Sequence, residues 1–491
     1  MLRSAPTVVT TLARAGLLRP PRPDQAVAMG LALAYWGLSP AAGYAAHAAR
    51  DPRRAAVVDP EGTLTYAEVD RVTNAVANGL HARGVRAGQP VGVSCGNTRA
   101  FVLAVVGVTK AGATAVLLNP AMSPAMLADV EESEGLVAVL ADDDVLALAG
   151  GDQARPKPPA QPGRFVILTS GTTGRPKGAP RSAPTSLDPV VALLSVIPLK
   201  AGGTTVVASP LFHAWGFAQW LVALVLGSTV VLNGPFDAER TLASVEEHRA
   251  DALVAVPVML RRLLAVETAY DTSSLRVVAV SGSALPPDVA TAFLDRFGEV
   301  LYDLYGSTEV AWVSIATPAD LREAPGSVGR PPYGTSVELV DADESGTGRI
   351  FAGNGLTIEA YTSGESKETR DGLMATGDLG RWDDDGRLYV VGREDDMVVS
   401  GGENVFPGPV EDLLSAHPGV ADVAVVGVPD EEFGQRLRAV VVRADASLTE
   451  DAVRDAVRAG LARHFVPRDV VFVDALPRNP AGKVLKRELG S

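Results

Sequence analysis

The stretch FVILTSGTTGRPKG, residues 165–178, joins an apolar run to a loop of small and hydroxylated residues. The apolar run favours a buried strand, and the glycines and hydroxyls favour a loop that surrounds an anion. The nucleoside-triphosphate P-loop requires four residues between two glycines, followed by Lys and then Ser or Thr. Gly171 and Gly174 are too close for that motif, and Gly178 follows Lys177. We therefore expect a phosphate-binding loop of another type.

Composition and charge limit the possible classes of protein. A chain of 491 residues exceeds the usual size of one hydrophobic core, and 47% apolar residues with 49 Gly and 35 Pro are typical of a turn-rich α/β protein. The net charge of −14 argues against non-specific nucleic-acid binding. Cys95 is the only cysteine, which excludes an intramolecular disulfide and indicates a cytoplasmic protein.

Residues 1–50 are expected to form a helical segment without the features of a signal peptide. The apolar stretch AVAMGLALAYWGL (26–38) is too short to span a bilayer as a helix. Two alternatives stay open for it, a helix packed on the protein body and a peripheral membrane contact.

Beyond this segment, strands alternate with helices, which predicts mostly parallel sheets with crossover connections. The proline-rich stretch ARPKPPAQPG (154–163) is interpreted as a linker that separates the first αβ half from the glycine-rich loop. Residues 325–390 have short β-runs typical of a small barrel or a curled sheet. The predicted domains are the helical segment 1–50, a nucleotide-binding domain 51–394 and a C-terminal domain 395–491.

The loop at 169–178 resembles the phosphate-binding motif of the adenylate-forming superfamily, which includes acyl-CoA synthetases, luciferases and the adenylation domains of peptide synthetases. Other stretches resemble the remaining motifs of this superfamily in the expected order, and several are most similar to bacterial fatty-acyl-CoA synthetases. They are LTYAEV (64–69), KAGATAVLLNP (110–120), PLFHAWG (210–216), YGSTE (305–309), TGD (376–378), GREDDMVVSGGENVFP (392–407) and PRNPAGKVLKREL (477–489).

The resemblance implies an AMP-forming acid–thiol ligase that uses ATP, Mg²⁺ and coenzyme A. A carboxylate would attack the α-phosphorus of ATP, giving acyl-AMP and pyrophosphate, and the thiol of coenzyme A would then displace AMP. The first step brings two anions together, so cations placed between them would lower the barrier. The implied α/β fold has a large N-terminal domain of stacked, mostly parallel αβ subdomains with a small β-barrel, and a mobile α+β C-terminal domain.

The catalytic residues are assigned from their chemistry together with this resemblance. Lys483 is a lysine in an arginine-rich chain, and its flexible ammonium could bridge a carboxylate oxygen and an α-phosphate oxygen. Glu309 offers the oxygen ligands that Mg²⁺ prefers, with Thr172 as a second predicted metal ligand. Thr308 would contribute a hydroxyl to the α-phosphate.

For the nucleoside, the resemblance implies that Asp378 accepts hydrogen bonds from both ribose hydroxyls, with Arg393 assisting. Tyr305 offers a flat face to adenine, and Asp303 lies near the polar edge of the base. The other predicted ATP or AMP contacts come from three loops and their flanks. They are Thr169, Ser170, Gly171, Thr172, Thr173, Gly174, Lys177, Ser281, Gly282, Ser283, Ala284, Leu304, Gly306, Ser307 and Thr308.

The acyl pocket is predicted to include His213, Trp215, Phe217 and Gly306. His213 would lie against the carboxylate of the acid and near the thiol entrance, and it is not assigned as a general base. A long-chain, an aromatic and a bulky alicyclic acid all stay open, because the fatty-acid preference comes from resemblance alone.

Thiol capture requires Lys483 to leave the site, which a rigid domain turning about Asp395 would achieve. The predicted contacts of coenzyme A are Gly401, Gly402, Glu403, Phe433 and Arg468. Many relatives carry a lysine just before the position of Val466, whereas this chain has Phe465 there, so its contacts to the phosphates of coenzyme A are less well defined.

Two other functions are weighed against this prediction. An acyl-AMP ligase would load the phosphopantetheine of a carrier protein, but no insertion precedes the hinge region. A catalytically silent protein that binds acyl-CoA or AMP would have no use for this set of residues together: Lys177, Glu309, Asp378, Arg393 and Lys483. Nothing in the sequence points to the oxygen chemistry of a luciferase.

Overall fold

The computed structural model describes residues 5–169, 177–181, 188–400, 403–430, 434–479 and 483–490. Among the helices in these ranges, none combines the length and the apolarity needed to cross a bilayer. The helices are α1 (Ala5–Ala15), α2 (Pro23–Trp36), α3 (Pro40–Arg50), α4 (Tyr66–Ala82), α5 (Arg99–Lys110), α6 (Pro124–Glu134), α7 (Asp142–Ala149), α8 (Asp188–Val196), α9 (Ala214–Val225), α10 (Ala238–Glu247), α11 (Pro257–Leu264), α12 (Pro287–Phe297), α13 (Pro318–Glu323), α14 (Pro407–Ser415) and α15 (Glu450–Gly460).

The strands form four sheets. They are β1 (Ala55–Asp59), β2 (Gly62–Thr65), β3 (Pro90–Ser94), β4 (Thr114–Leu117), β5 (Ala138–Ala141), β6 (Arg164–Thr169), β7 (Lys177–Arg181), β8 (Thr204–Val207), β9 (Thr229–Val231), β10 (Ala252–Ala255), β11 (Val277–Val280), β12 (Leu301–Tyr305), β13 (Ser314–Ala316), β14 (Ser336–Val340), β15 (Gly348–Gly353), β16 (Thr369–Arg370), β17 (Leu373–Trp382), β18 (Leu388–Arg393), β19 (Val398–Ser400), β20 (Glu403–Val405), β21 (Val420–Asp430), β22 (Gly434–Arg443) and β23 (Asp469–Val473).

Two largely parallel sheets make the body of the large N-terminal domain. One has the order β13-β12-β11-β10-β8-β9-β1-β2 and the other has the order β5-β3-β4-β6-β7. Strands β10 and β11 read Ala-Leu-Val-Ala and Val-Val-Ala-Val and are buried throughout. Helices cover both faces of such sheets, so continuous apolar runs are the expected pattern. The predicted alternation of strands and helices is confirmed in this region.

The proline-rich stretch 154–163 does not divide the chain into two halves as the sequence suggested. Strand β4 pairs directly with β6, so the stretch is a loop inside one five-stranded sheet. It packs on α2, where the Tyr35 hydroxyl donates to the Pro156 carbonyl at 2.8 Å and the Arg155 guanidinium lies 3.8 Å from the centre of the Tyr35 ring. Prolines have no N–H to leave unsatisfied, which suits a loop held by such contacts.

Residues 336–393 form the predicted curled β-sheet. Its five strands are all antiparallel, and the ten-residue strand β17 pairs with β15, β16 and β18. The register of β17 against β18 places Asp378 opposite Arg393. This sheet therefore presents both predicted ribose ligands from neighbouring strands.

The C-terminal domain is a small α+β unit, as predicted. Strands β21 and β22 form a long hairpin, β23 adds in parallel to β22, and α14 and α15 contribute Val410, Leu414, Val453 and Val457 to its core. The Thr449 hydroxyl accepts from the backbone N–H of Ala452 at 3.2 Å, which caps the start of α15. A short 3₁₀ turn at Glu394–Asp396 connects this domain to β18.

Candidate active site

The loops that follow β11 and β12 lie side by side, because the two strands are parallel and pair Val280 with Asp303. Ligands of α/β sheets bind in the crevice outside the carboxyl ends of such strands. Ser281 is buried just after β11, and Gly282 has a φ of +101°, a conformation that L side chains rarely adopt. The predicted adenine-facing segment Ser281–Ala284 is thus adjacent to the end of β12.

Asp303 is a buried acid in the middle of β12, with only 5% of its surface exposed. Burial in this apolar sheet raises its pKa to about 7. A carboxyl that is close to half-protonated at neutral pH can both donate and accept hydrogen bonds, which suits the polar edge of a purine. Successive side chains of a strand point to opposite faces of the sheet. The next residue, Leu304, therefore lies on the other face, where it packs in the core with Trp312.

Tyr305 ends β12 and connects the large sheet to the curled sheet. Its hydroxyl donates to Oδ2 of Asp378 at 2.5 Å and to the Thr376 hydroxyl at 3.3 Å. Burial and the neighbouring Asp378 carboxylate raise the pKa of Tyr305 well above its usual value, so it stays a neutral donor. The structure therefore brings Tyr305 and Asp378, 73 residues apart, into direct contact.

Asp378 lies between two groups that favour its charged form. Arg393 Nε is 4.0 Å from its Oδ1, and Tyr305 donates to its other oxygen. Burial nevertheless raises the pKa of Asp378, with the Tyr305 hydrogen bond and the Arg393 charge acting in the lowering direction. The geometry leaves a carboxylate and a guanidinium together at the edge of the crevice, as predicted for the ribose site.

The turn after β12 is too tight for a side chain at its first position. A Cβ at Gly306 would lie 2.0 Å from the carbonyl oxygen of Ala311, and Ala311 itself has a φ of 63°. The Ser307 hydroxyl accepts from the backbone N–H groups of Glu309 and Val310 at 3.2 and 3.4 Å. This turn directs the half-buried Thr308 and the buried Glu309 away from the core of the large sheet.

Glu309 is an ionised carboxylate that two side chains of the curled sheet engage. Lys367 Nζ lies 3.5 Å from its Oε1, and the Tyr361 hydroxyl donates a short hydrogen bond to the same oxygen. Burial acts to raise the pKa of Glu309, but the Lys367 charge and the hydrogen bonds from Tyr361 and Ser307 outweigh it and leave the pKa lowered. Glu309 can thus supply negatively charged oxygen to a cation.

Lys367 was not predicted from the sequence. Its ammonium also donates to the carbonyl of Thr376 at 3.1 Å. This hydrogen bond holds the ammonium against β17, two residues along the strand from Asp378. The chain has only seven lysines, and two of the other six, Lys177 and Lys483, are predicted site residues. The scarcity of lysine is the signal that could have pointed to Lys367.

Lys483 lies on a turn of the C-terminal domain that faces this crevice. Asn479 and Lys483 exchange hydrogen bonds of 2.9 Å, and the flanking residues Arg478 and Val484 form an antiparallel bridge. Burial lowers the pKa of Lys483, the charge of Arg393 lowers it further, and Asp396 and Asp378 act in the opposite direction. The ammonium of Lys483 is therefore close enough to Asp378 and Arg393 for their charges to shift its pKa.

The predicted acyl-pocket residues divide between a cleft and the core. His213 precedes α9, and burial lowers its pKa to about 4, so it is neutral at physiological pH. Its Nε2 is buried and has no hydrogen-bond partner among the residues that the structure describes. The Trp215 indole N–H donates to the Ala255 carbonyl at 2.9 Å, and its ring is partly exposed. Both rings thus lie near the carboxyl ends of β8 and β10.

Phe217 has a different environment from the one predicted. It is 1% exposed and packs edge-on against Phe165 with ring centres 4.7 Å apart, next to Phe101 and Trp220. A helix turns by about 100° per residue, so Phe217 and Trp215 are directed to different neighbours. Phe217 therefore supports the pocket from the core, and a direct contact to the acid stays a prediction.

Several predicted residues lie outside what the structure describes. These are Ser170, Gly171, Thr172, Thr173 and Gly174 of the glycine-rich loop, and Gly401, Gly402 and Phe433 of the predicted coenzyme A site. The backbones of Thr169 and Lys177 pair with each other, so β6 and β7 close this loop into a hairpin. Glu403 opens β20, Asp395 lies in the 3₁₀ turn before β19, and Arg468 is exposed just before β23.

Family models for two parts of one enzyme class match most of the chain. The model of AMP-binding enzymes matches residues 44–161 and 147–355, and the model of the AMP-binding enzyme C-terminal domain matches residues 409–483. The chain belongs to the AMP-binding enzyme family. Its predicted membership of the adenylate-forming superfamily is thereby confirmed.

Several curated relatives of this chain are named as CoA ligases or CoA synthases. Feruloyl-CoA synthase of an Amycolatopsis species is 35% identical over 472 residues, covering 89% of this chain and 96% of that protein. Indoleacetate–CoA ligase of Aromatoleum aromaticum is 32% identical over 489 residues, covering 90% and 96%. Among solved structures, Bacillus subtilis o-succinylbenzoate CoA synthetase in complex with its acyl-adenylate intermediate has a TM-score of 0.82 at 26% identity, covering 91% of this chain and 98% of that one.

These comparisons confirm the predicted class of enzyme. The AMP-binding enzyme described here is accordingly an AMP-forming acid–thiol ligase of the acyl-CoA synthetase type. The large N-terminal domain and the small C-terminal domain match the fold of the related synthetase.

Proposed function

We propose that this AMP-binding enzyme converts an aromatic carboxylic acid into its CoA thioester through an acyl-adenylate. The observation that carries the adenylation site is the convergence of Asp378, Arg393, Glu309 and Lys483 at the carboxyl end of β12, although they come from three separate regions of the chain. The relatives named for feruloyl, indoleacetate and succinylbenzoate support an aromatic acid over a fatty acid.

In the first step, the acid carboxylate attacks the α-phosphorus and pyrophosphate leaves. Asp378 would accept the ribose hydroxyls, and the Ser281–Ala284 segment with Tyr305 would enclose the adenine beside Asp303. Lys483 would lie between the attacking carboxylate and the α-phosphate, where its charge offsets their repulsion. Its pKa is lowered in this structure by burial and by Arg393, and two approaching anions would act to raise it again.

The described residues also fit the Mg²⁺ that the resemblance implies. Mg²⁺ usually binds through one or two carboxylates together with substrate phosphates and waters, rather than a complete protein cage. Within the described residues no group of three or more acidic, His or Cys side chains could form such a cage. Glu309, with its lowered pKa, would provide the carboxylate and Thr308 a hydroxyl. Thr172, which lies outside the described residues, stays a predicted ligand. The ion would neutralise charge on the triphosphate.

His213 and Trp215 would meet the acid. His213 is neutral and has an unpaired buried Nε2, so it can orient one carboxylate oxygen without competing with Lys483 for charge. The Trp215 indole N–H is already used by Ala255, which leaves the ring face for contact with an aromatic acid. This arrangement favours recognition of an aromatic acid by packing of its ring on the ring of Trp215.

For the second step, we propose that the domain 395–491 turns about Asp395 against the domain 51–394. Asp395 lies in the 3₁₀ turn between the curled sheet and the C-terminal sheet, where few residues would absorb the motion. The turn would remove Lys483 and bring the β19–β20 hairpin, with Gly401, Gly402 and Glu403, to the site. Phe433 and Arg468 remain the proposed further contacts of coenzyme A.

Pyrophosphate release and CoA thioester formation should be measured with hydroxycinnamic, indoleacetic, medium-chain and long-chain acids. The highest kcat/KM is expected for an aromatic acid, with AMP and thioester formed in equal amounts. A preference for long-chain acids would overturn the proposed substrate class and leave the ligase reaction intact. Thioester formed on a carrier protein but not on free CoA would establish the alternative thiol. Absence of pyrophosphate release with every acid would favour a silent binding protein.

A further inference from the structure

The N-terminal helices carry most of the exposed apolar surface of this protein. Eleven large apolar side chains are markedly exposed in the described residues, and six of these lie between residues 9 and 38. They are Val9 (56% exposed), Leu18 (50%), Val27 (64%), Leu31 (62%), Leu33 (47%) and Leu38 (52%). Solvent-exposed apolar residues scattered singly need no explanation, but a concentration of them on one segment does.

Three exposed residues of α2 form one stripe. Val27, Leu31 and Ala34 are spaced by four and three residues, so they share a face of the helix, and the exposed Leu38 follows two residues after the helix ends. The opposite side holds Ala32 and Trp36, which are 4% and 1% exposed. The helix thus buries one apolar side against the protein and presents another to the outside. We call Val27, Leu31, Ala34 and Leu38 the outer apolar face.

This face lies in a cationic region of an otherwise acidic chain. Residues 1–54 contain seven arginines and two aspartates, whereas the whole chain has a net charge of −14. No Asp, Glu, Lys or Arg occurs between residues 25 and 49. The charge is therefore concentrated beside the outer apolar face and does not interrupt it.

Three of these arginines meet at the start of α2. Arg50 Nη2 donates to the Arg19 carbonyl at 3.2 Å, and Gln25 Nε2 donates to the Arg50 carbonyl at 2.7 Å. Arg22 precedes the helix, and its side chain is 72% exposed and forms an ion pair of 3.4 Å with the equally exposed Asp24. Arg19, Arg22 and Arg50 thus form a cationic collar at one end of the outer apolar face.

We propose that α1, α2 and their connection dock this protein reversibly on an anionic lipid bilayer. An interfacial helix inserts its apolar face at the boundary of head groups and acyl chains while basic residues meet anionic head groups, and this surface provides both parts. A second copy of the chain would instead bring another set of arginines to the same face. The match to the model of AMP-binding enzymes begins at residue 44, so α1 and α2 lie outside the matched region.

The docking surface is connected through α3 to α9, the helix next to the predicted acyl pocket. Helix α3 follows α2 after a short turn at residues 37–39 and packs against it, and its Tyr44 hydroxyl accepts a hydrogen bond from the Trp220 indole N–H at 3.1 Å. Trp220 lies on α9, the helix that begins next to His213. Binding of α2 to a bilayer would therefore hold the catalytic domain at the lipid surface, whichever acid it activates.

The experiment is vesicle flotation of the full chain with two lipid compositions. Vesicles of phosphatidylcholine with phosphatidylglycerol are expected to bind the protein, pure phosphatidylcholine vesicles much less, and high salt should release it. The double variant V27S/L31S should lower the partition coefficient at least about tenfold, and R19Q/R22Q should lower it several-fold on anionic vesicles only.

The matched control is M126S/L146S, which removes two side chains that are each 43% exposed elsewhere on the surface. This control should bind like the wild type, and thermal melting should show that all variants are folded. No binding to anionic vesicles, or equal loss in the control and V27S/L31S, would overturn the proposal. A dimer in analytical ultracentrifugation that V27S/L31S dissociates, without vesicle binding, would show that the face is a protein interface instead.

Discussion

The burial of Asp303 predicts a pH-dependent difference in stability between the wild type and Asp303→Asn. The folded pKa of about 7 lies above the value of about 3.9 expected in an unfolded chain. The folded state therefore holds the proton more tightly, and the stability that this group confers is complete below the unfolded pKa and is lost as the pH rises to about 7. The asparagine side chain has nearly the same shape and does not titrate.

The magnitude follows from the pKa difference. Between about pH 5.5 and pH 7, the unfolded carboxyl is ionised and the folded one goes from mostly protonated to about half-protonated. Stability therefore falls by about 1.4 kcal/mol per pH unit at first and by about half of that near pH 7. Ionisation of Asp303 should therefore lower the free energy of unfolding of the wild type by roughly 2 kcal/mol over this interval. The free energy of unfolding of Asp303→Asn should not fall for this reason. Urea unfolding at both pH values gives the two free energies of unfolding.

Asp320→Asn is a matched control with the opposite expectation. Asp320 is also 5% exposed, but Arg330 and Arg387 contact it at 2.6 and 3.1 Å. Burial acts to raise its pKa, and the Thr317 hydrogen bonds and these arginines outweigh burial and lower it. Its stabilising effect is present above the unfolded pKa, so the loss in Asp320→Asn should be the same at both pH values. A pH-independent difference for Asp303→Asn as well would refute the reasoning.

Two further predictions concern the site itself. Lys367→Met removes the cation 3.5 Å from Glu309, so the pKa of Glu309 should rise and the acidic limb of the adenylation pH profile should move toward neutral pH. Lys367→Arg should restore the wild-type profile, and an unshifted limb in Lys367→Met would contradict the role of the ion pair. His213→Ala should raise the KM of the acid several-fold without removing an inflection between about pH 5.5 and 8, because the pKa of His213 is about 4. Loss of an inflection near neutral pH in this variant would show that His213 titrates during the reaction.

Local motifs allowed the candidate site to be predicted from the sequence. The TGD and YGSTE stretches predicted Asp378, Tyr305 and Glu309 as site residues, and the alternation of apolar strands with helices predicted the sheets that carry them. The structure brings Tyr305 and Asp378 into contact. Periodicity and turn residues act over short distances, so they are visible in one sequence.

Long-range packing decided what the sequence could not show. Lys367 lies 58 residues from Glu309 in a stretch without a recognisable motif, and only the pairing of β16 with β17 brings it to the site. In the stretch AWGFAQW, Trp215 and Phe217 are both large aromatic residues and look equivalent in the sequence. The rotation of the helix directs Phe217 to the core and leaves Trp215 partly exposed. The proline-rich stretch at 154–163 looked like a linker because the pairing of β4 with β6 is not local.

The central claim is that Lys483 acts in adenylation and leaves before the thiol reacts. Rapid-quench measurement of the two half-reactions in Lys483→Ala tests it most directly, with acyl-AMP formed from acid and ATP in one series and supplied acyl-AMP with CoA in the other. We predict that acyl-AMP formation falls by about a thousandfold or more, while thioester formation from supplied acyl-AMP stays within about threefold of the wild type. Equal losses in both half-reactions would contradict the account.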